Sequence, residues 1–246
     1  MNDKIKLTSV FLNIILFIII IILTILLLNN KNQADKEIHK KNVELNKLTT
    51  SKSNDTSNFK KLKNNENVVF FGDSITEIYQ IENIYDDYRI IKSGVSGYKT
   101  TDLLKNINKM VYRYNPTKVI LLIGTNDIGN DASNEMQNKT VNNIKKISTD
   151  IKKNRPNTKL YVESIYPVNK NKNSSLVAKR NNDAIKNMNK KIKEYCKKNN
   201  ITYIDMFDQL KDNDGNFNEK YTDDGLHPNT LGYAKITRIL TPYIYE

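Results

Sequence analysis

Hydrophobic and polar positions fall into three successive patterns along this chain. Residues Val10 to Leu28 form a nineteen-residue apolar run broken only by Asn13 and Thr24. A helix of that length spans ~28 Å, close to the hydrocarbon core of a bilayer. From residue 29 to about 65, large apolar residues are sparse, and Asn, Lys, Ser and Thr dominate. From Asn67 onward, short apolar runs alternate with stretches of helical periodicity. The runs predict strands at Val68–Phe71, Tyr88–Ile91, Lys118–Ile123, Lys159–Ser164 and Ile201–Asp205. Helices are expected at about Thr101–Tyr114, Asn134–Lys153, Ser175–Asn199 and Thr230–Tyr243, with Pro116 and Pro156 ending the helices before strands three and four. The third run, Val119 to Ile123, is apolar without alternation, as a strand covered on both faces must be. This βαβ alternation predicts a parallel sheet with helices on both faces. The domains expected are a membrane anchor over 1–29, a polar stalk or linker over 30–65 and an α/β domain over 66–246.

A cleavable signal peptide would have a shorter apolar region, ~7–15 residues, ending at a small-residue site. Leu26-Leu27-Leu28-Asn29-Asn30 offers no such site, so an uncleaved single-pass membrane anchor is expected. Lys4 and Lys6 precede the run and further basic residues follow from Lys31, so the positive-inside signal is mixed. The expected topology puts the short N-terminal tail inside and the bulk of the chain outside the cytoplasm. Residues 29–65 hold nine Lys against four acidic groups and too little apolar surface to fold alone. Ile38 and Leu45 leave room for a short stalk helix, and Thr49 to Asn58 has the composition of a flexible linker. The formal net charge of +12 reflects lysines used throughout the chain, and no nucleic-acid partner is expected. The single cysteine, Cys196, excludes an internal disulfide and is expected to be a packing residue.

The candidate chemistry lies at strand ends. Val68 to Phe71 stops at Gly72, and Ser74 follows on what should be a tight turn. Catalytic groups collect at the C-terminal ends of strands in such sheets. The plainer alternative is that Asp73 or Ser74 caps the next helix. After strand two, Gly94-Val95-Ser96-Gly97 allows unusual backbone angles, but it lacks the third glycine of a dinucleotide fingerprint and is not a phosphate loop. After strand three comes Gly124-Thr125-Asn126-Asp127, where Asn126 either aims its amide into the crevice or forms a turn. Near the end stands Asp224-Gly225-Leu226-His227-Pro228. The other histidine, His39, belongs to the stalk, so only His227 can serve Ser74 as a base. Asp224, three residues earlier, can reach one ring nitrogen while the other faces the serine. For the basic stretch Asn169 to Arg180, contact with an anionic substrate is the alternative and a solvated loop the expectation.

Taken together, Gly72-Asp73-Ser74-Ile75, the Gly97 block, Gly124-Thr125-Asn126-Asp127 and Asp224-Gly225-Leu226-His227-Pro228 resemble the four signature blocks of SGNH hydrolases, also called GDSL esterases and lipases. The resemblance covers roughly residues 67 to 246 and implies a flavodoxin-like three-layer α/β/α domain with a five-stranded parallel sheet. It implies Ser74 as nucleophile, His227 as base and Asp224 as its partner. The implied oxyanion hole is the backbone N–H groups of Ser74 and Gly97 with the Asn126 side chain. Lys92 stands where many members open the second block with Asn, a departure that bears on local substrate contacts. The Gly-x-Ser-x-Gly elbow of α/β-hydrolases is absent. No metal or other cofactor is expected. The implied substrate is a small acyl ester or an acylated glycan. Three activities stay open: an anchored esterase acting on an O-acyl, chiefly O-acetyl, ester of a surface carbohydrate or lipid; an O-acyltransferase with a glycan acceptor; and an inactive tethered binding module. Oligomeric state is not legible.

Overall fold

The computed structural model describes residues 66–81, 84–85 and 89–246. The expected anchor and stalk lie outside the described residues; within them, no helix is long and apolar enough to cross a membrane. The elements in order are β1 (Asn67–Gly72), α1 (Ser74–Ile78), β2 (Arg89–Gly94), α2 (Thr100–Met110), β3 (Lys118–Leu122) and α3 (Asn134–Asn154). They continue with β4 (Lys159–Glu163), α4 (Ser174–Val177), α5 (Asn182–Lys198), β5 (Thr202–Ile204), α6 (Met206–Leu210) and α7 (Thr230–Tyr245).

The five strands pair in the order β2-β1-β3-β4-β5, and every pairing is parallel. The chain reverses its direction of travel across the sheet between β1 and β3. Ligands bind at such a switch point, beyond the strands' carboxyl ends. Strand side chains alternate between two cores. Val69, Phe71, Val119, Leu121, Leu160 and Val162 face the helices α2, α3 and α5. Val68, Phe70, Ile120, Leu122 and Tyr161 face α1, α6 and α7. The unbroken apolar run of β3 follows from this double burial. On α3, Val141, Ile144, Ile147 and Ile151 form a stripe at spacings of three and four, and all are buried.

The strands expected from sequence all form, with ends moved by a few residues; Tyr88 lies outside the described residues. The helix expected over Ser175–Asn199 is instead two. It breaks at Ala178, where φ is +55°, and restarts at Asn182 with the Asn181 side chain accepting from the Ala184 N–H. The five-residue helix α1 was expected only as the helix that Asp73 or Ser74 would cap, and α6 was not expected; both are too short to show a period. Cys196 is buried against the first core, and burial pushes its thiol up to about 12, in keeping with a packing role.

Three contacts tie α1 and the Tyr79 that ends it to α7, and they position the site. The Tyr233 hydroxyl donates to the Ile75 carbonyl at 2.7 Å. The Tyr79 hydroxyl pairs with Thr237 Oγ1 at 2.7 Å, and its ring stacks on Tyr233 at 4.9 Å. The start of α1 is thereby held beside the start of α7, which directly follows His227.

Candidate active site

Ser74 occupies the first turn of α1, immediately beyond β1, and is 8% exposed. The capping role falls to Asp73, whose Oδ1 accepts from the Ile75 N–H at 3.0 Å. This leaves the Ser74 hydroxyl for other partners, and its Oγ lies 3.0 Å from His227 Nε2 across 153 positions of sequence. On the far side of the imidazole, Nδ1 is 2.7 Å from Asp224 Oδ2. The carboxylate can only accept, so Nδ1 carries the proton and Nε2 presents its lone pair to the serine.

The Asp224 loop is tightly determined. Oδ1 of Asp224 accepts from the N–H groups of Leu226 and His227 at 2.8 and 2.7 Å. Gly225 sits at φ +81°, and a β-carbon there would collide with the Asn169 carbonyl, which stands against it. The Asn169 N–H donates to the Gly225 carbonyl at 2.8 Å. Burial pushes the Asp224 carboxyl upward, but the hydrogen bonds from the His227 N–H, its ring and the Leu226 N–H outweigh it and hold the group below its ordinary value. Asp224 is therefore ionised at neutral pH.

On the opposite side, two loops bring Gly97 and Asn126 together. Gly97 has φ +78°, and a β-carbon there would meet nothing within 4 Å, so it is backbone conformation that calls for glycine. The loop is clamped at Ser96, whose N–H and hydroxyl both donate to Glu77 Oε2. Behind it, the Asp127 carboxylate accepts from the N–H and hydroxyl of Thr100, tying the β3 turn to the start of α2. Asn126 Nδ2 donates to the Tyr98 carbonyl at 3.0 Å.

The structure thus gathers Ser74, His227 and Asp224 into a hydrogen-bonded line and sets Asn126 against the loop that carries Gly97. Sequence reading missed several supporting groups. Arg180, expected in a solvated loop, is 7% exposed and donates from Nη2 to Asn126 Oδ1 at 2.9 Å. Asn169, from the same stretch, is buried beneath Gly225. Only its neighbours, such as Lys170 and Lys172, are solvated. A lysine-rich context hid them, because nothing in composition distinguishes an inward arginine from outward lysines. Among the described residues, no group of three or more His, Cys, Asp or Glu side chains could hold a metal ion.

Comparison with known proteins agrees with this fold. The profile of the GDSL-like lipase/acylhydrolase family matches residues 70–235, which takes in all four blocks. The chain belongs to this family. The family is one of lipases and acylhydrolases. A solved structure from Streptococcus pneumonia is 32% identical, with a TM-score of 0.68 over 82% of this chain and 93% of that one. A GDSL-like lipase from Bacteroides thetaiotaomicron is 23% identical, with a TM-score of 0.66 over 80% of this chain and 96% of its own, and shares the fold. An acetylxylan esterase from Geobacillus stearothermophilus, 17% identical, has a TM-score of 0.56 over 76% of this chain and 97% of its own. A curated Escherichia coli relative, an N-acylneuraminate cytidylyltransferase, is 27% identical over 169 residues, 68% of this family member. The family member spans only 38% of that relative's length.

Proposed function

We propose that the chain is a membrane-anchored serine esterase that removes an O-acyl group, chiefly acetyl, from a surface carbohydrate or lipid. Ser74 is the nucleophile, His227 the base and Asp224 the group that orients it. The observation that carries the reading is the unbroken line from Ser74 Oγ to His227 Nε2 at 3.0 Å and from Nδ1 to Asp224 Oδ2 at 2.7 Å.

In this mechanism, His227 takes the hydroxyl proton as Ser74 Oγ attacks the ester carbonyl. The carbonyl oxygen becomes an oxyanion and meets the N–H groups of Ser74 and Gly97 and the Asn126 amide. One such donor contributes about 3–4 kcal/mol in the transition state. His227 then returns the proton to the departing alkoxide, and water, activated by the same imidazole, releases the acid. Asp224, ionised and fixed by two backbone N–H groups, stabilises the imidazolium formed in both steps.

A polar cleft of about 300 Å³, lined by Arg180, Lys170, Asn171, Asn181, Asn182 and Lys186, holds none of the triad or oxyanion-hole residues and does not bear on the acyl carrier. The apolar run Val10 to Leu28 supports tethering at a membrane, with the catalytic domain on the extracytoplasmic side. Acetyl, butyryl and long-chain nitrophenyl esters, assayed beside an acetylated glycan, test this reading. Fastest release from acetyl substrates supports it, and a preference for long chains contradicts the carrier assignment. Product analysis with a glycan acceptor distinguishes hydrolysis from acyl transfer, and a membrane pellet retaining the intact chain tests the anchor.

A further inference from the structure

An asparagine in an oxyanion hole works only if its NH₂ faces the reacting carbonyl. Rotation of the amide by half a turn would present Oδ1 instead and repel the oxyanion. The terminal torsion of Asn has little intrinsic preference between the two orientations. Something must fix Asn126, and its two polar neighbours differ in character. Tyr98 offers a carbonyl, which only accepts, 3.0 Å from Nδ2. Arg180 offers a guanidinium, which only donates, 2.9 Å from Oδ1. In the reversed orientation, the amide would set donor against donor and acceptor against acceptor. Tyr98 takes one of the two Nδ2 protons, and the other remains for the oxyanion.

Arg180 is itself rigidly held. Its Nε donates to the carbonyl and hydroxyl of Thr125 at 2.8 and 3.1 Å, and Nη1 donates to the Leu176 and Val177 carbonyls at 3.1 and 3.2 Å. The backbone is bent to bring it there. Ala178, two residues earlier, sits at φ +55°, a backbone conformation that strains an L-residue. The Lys179 N–H is pinned to the Gly129 carbonyl at 3.0 Å. Gly129 leaves room for the guanidinium, since a β-carbon there would stand 2.9 Å from Nη2. Strain, a closely fitted glycine and four hydrogen bonds thus converge on placing one Nη2 against one Oδ1.

We infer that Arg180 is a positioning residue that locks the Asn126 amide in its donor-inward orientation, acting on the reaction only through Asn126. The inference rests on the oxyanion-hole role proposed above for Asn126. A lysine would keep the charge but not the fork, because a single ammonium cannot span Thr125, Leu176 and Asn126 together.

The test is a double-mutant cycle on the full chain, read as kcat and KM on an acetyl ester, together with the side-chain NH₂ signals of ¹⁵N-asparagine-labelled protein. The Asn126 pair is assigned by its disappearance in Asn126→Ala. Arg180→Met is expected to lower kcat by about tenfold or more with KM little changed, a loss bounded by the about 10²–10³-fold that one donor contributes. In the Asn126→Ala background, the same change should cost less than about threefold, because the group it acts through has gone. Arg180→Lys should resemble Arg180→Met in kcat, and both should shift the Asn126 NH₂ signals. An equal loss in both backgrounds, full activity in Arg180→Lys, or an unmoved Asn126 pair would each overturn the inference. If the parent chain turns over no ester, the proposed function fails, and the amide signals still decide whether Arg180 fixes Asn126.

Discussion

Asp224 and His227 stand three positions apart in one loop, whereas Gly97, Asn126 and Arg180 arrive from three separate loops. On the first side, the carboxylate, the backbone N–H groups it accepts from and the imidazole it orients belong to a single tight turn. From outside the turn, the Asn169 N–H donates to the Gly225 carbonyl and the Thr222 hydroxyl accepts from the Gly225 N–H. On the second side, no short segment is complete. Asn126 needs the Tyr98 carbonyl and the Arg180 guanidinium, and Gly97 needs the Ser96–Glu77 clamp next to it. The acid–base half is a local motif, and the donor half is a product of tertiary packing. Changes to the first should therefore be sharp and confined to a few residues. Changes to the second should be graded and spread over partners distant in sequence.

The largest effect expected after loss of Ser74 itself is on the local side. Asp224→Asn keeps the shape of the loop but presents an amide where Nδ1–H needs an acceptor, favouring the wrong tautomer. It should lower kcat by about 10⁴-fold with little change in KM. A loss below tenfold would show that the backbone of the loop alone orients the imidazole. Next comes Asn126→Ala on the dispersed side, expected to lower kcat by about 10²–10³-fold with a smaller effect on substrate binding. Unchanged kcat would remove Asn126 from the oxyanion hole and with it the reason for comparing the two halves.

This contrast also explains what could be read from the chain. Strand runs such as Val119 to Ile123 and the α3 stripe are periodic over enough residues to announce themselves. The Asp224–His227 pair was legible because both groups and their spacing sit in one string, and because the domain holds one histidine. Arg180 was not legible. Its burial depends on a backbone reversal at Ala178 that no glycine signals and on space left at Gly129, fifty-one positions away. The break between α4 and α5 was hidden for the same reason: helical periodicity continues on both sides of it. The apolar run over residues 10–28 and the polar stretch over 30–65 lie outside the described residues and remain expectations from pattern alone.

The smallest predicted effect concerns stability beneath the site. Burial, only partly offset by the hydrogen bond from Ile75 and the charge of Arg180, pushes the Asp73 carboxyl up to about 7. Burial likewise pushes Glu163 up to about 7 against the hydrogen bond donated by Tyr166. Below 3.8, folded and unfolded chains both hold the Asp73 proton; between 3.8 and about 7, the unfolded chain releases it while the folded chain retains it. Stability from this group is thus full in acid and falls as pH rises through that window, and Glu163 follows the same sign from 4.5. Thermal unfolding of an Asp73→Asn, Glu163→Gln chain beside the parent, from about pH 4 to about pH 8, should show a Tm gap that grows in favour of the variant up to pH ~7 and then levels. A gap independent of pH would mean that both carboxyls are ionised in the fold.

The most direct measurement is covalent capture. The intact chain is treated with a fluorophosphonate, and the modified residue is located by peptide mass spectrometry in the parent, in Ser74→Ala and in His227→Ala. The account predicts a single adduct on Ser74 in the parent, none in Ser74→Ala, and labelling slowed by orders of magnitude in His227→Ala, with all three proteins showing the same circular dichroism. A folded parent whose Ser74 stays unmodified, or one labelled equally fast without His227, would contradict it.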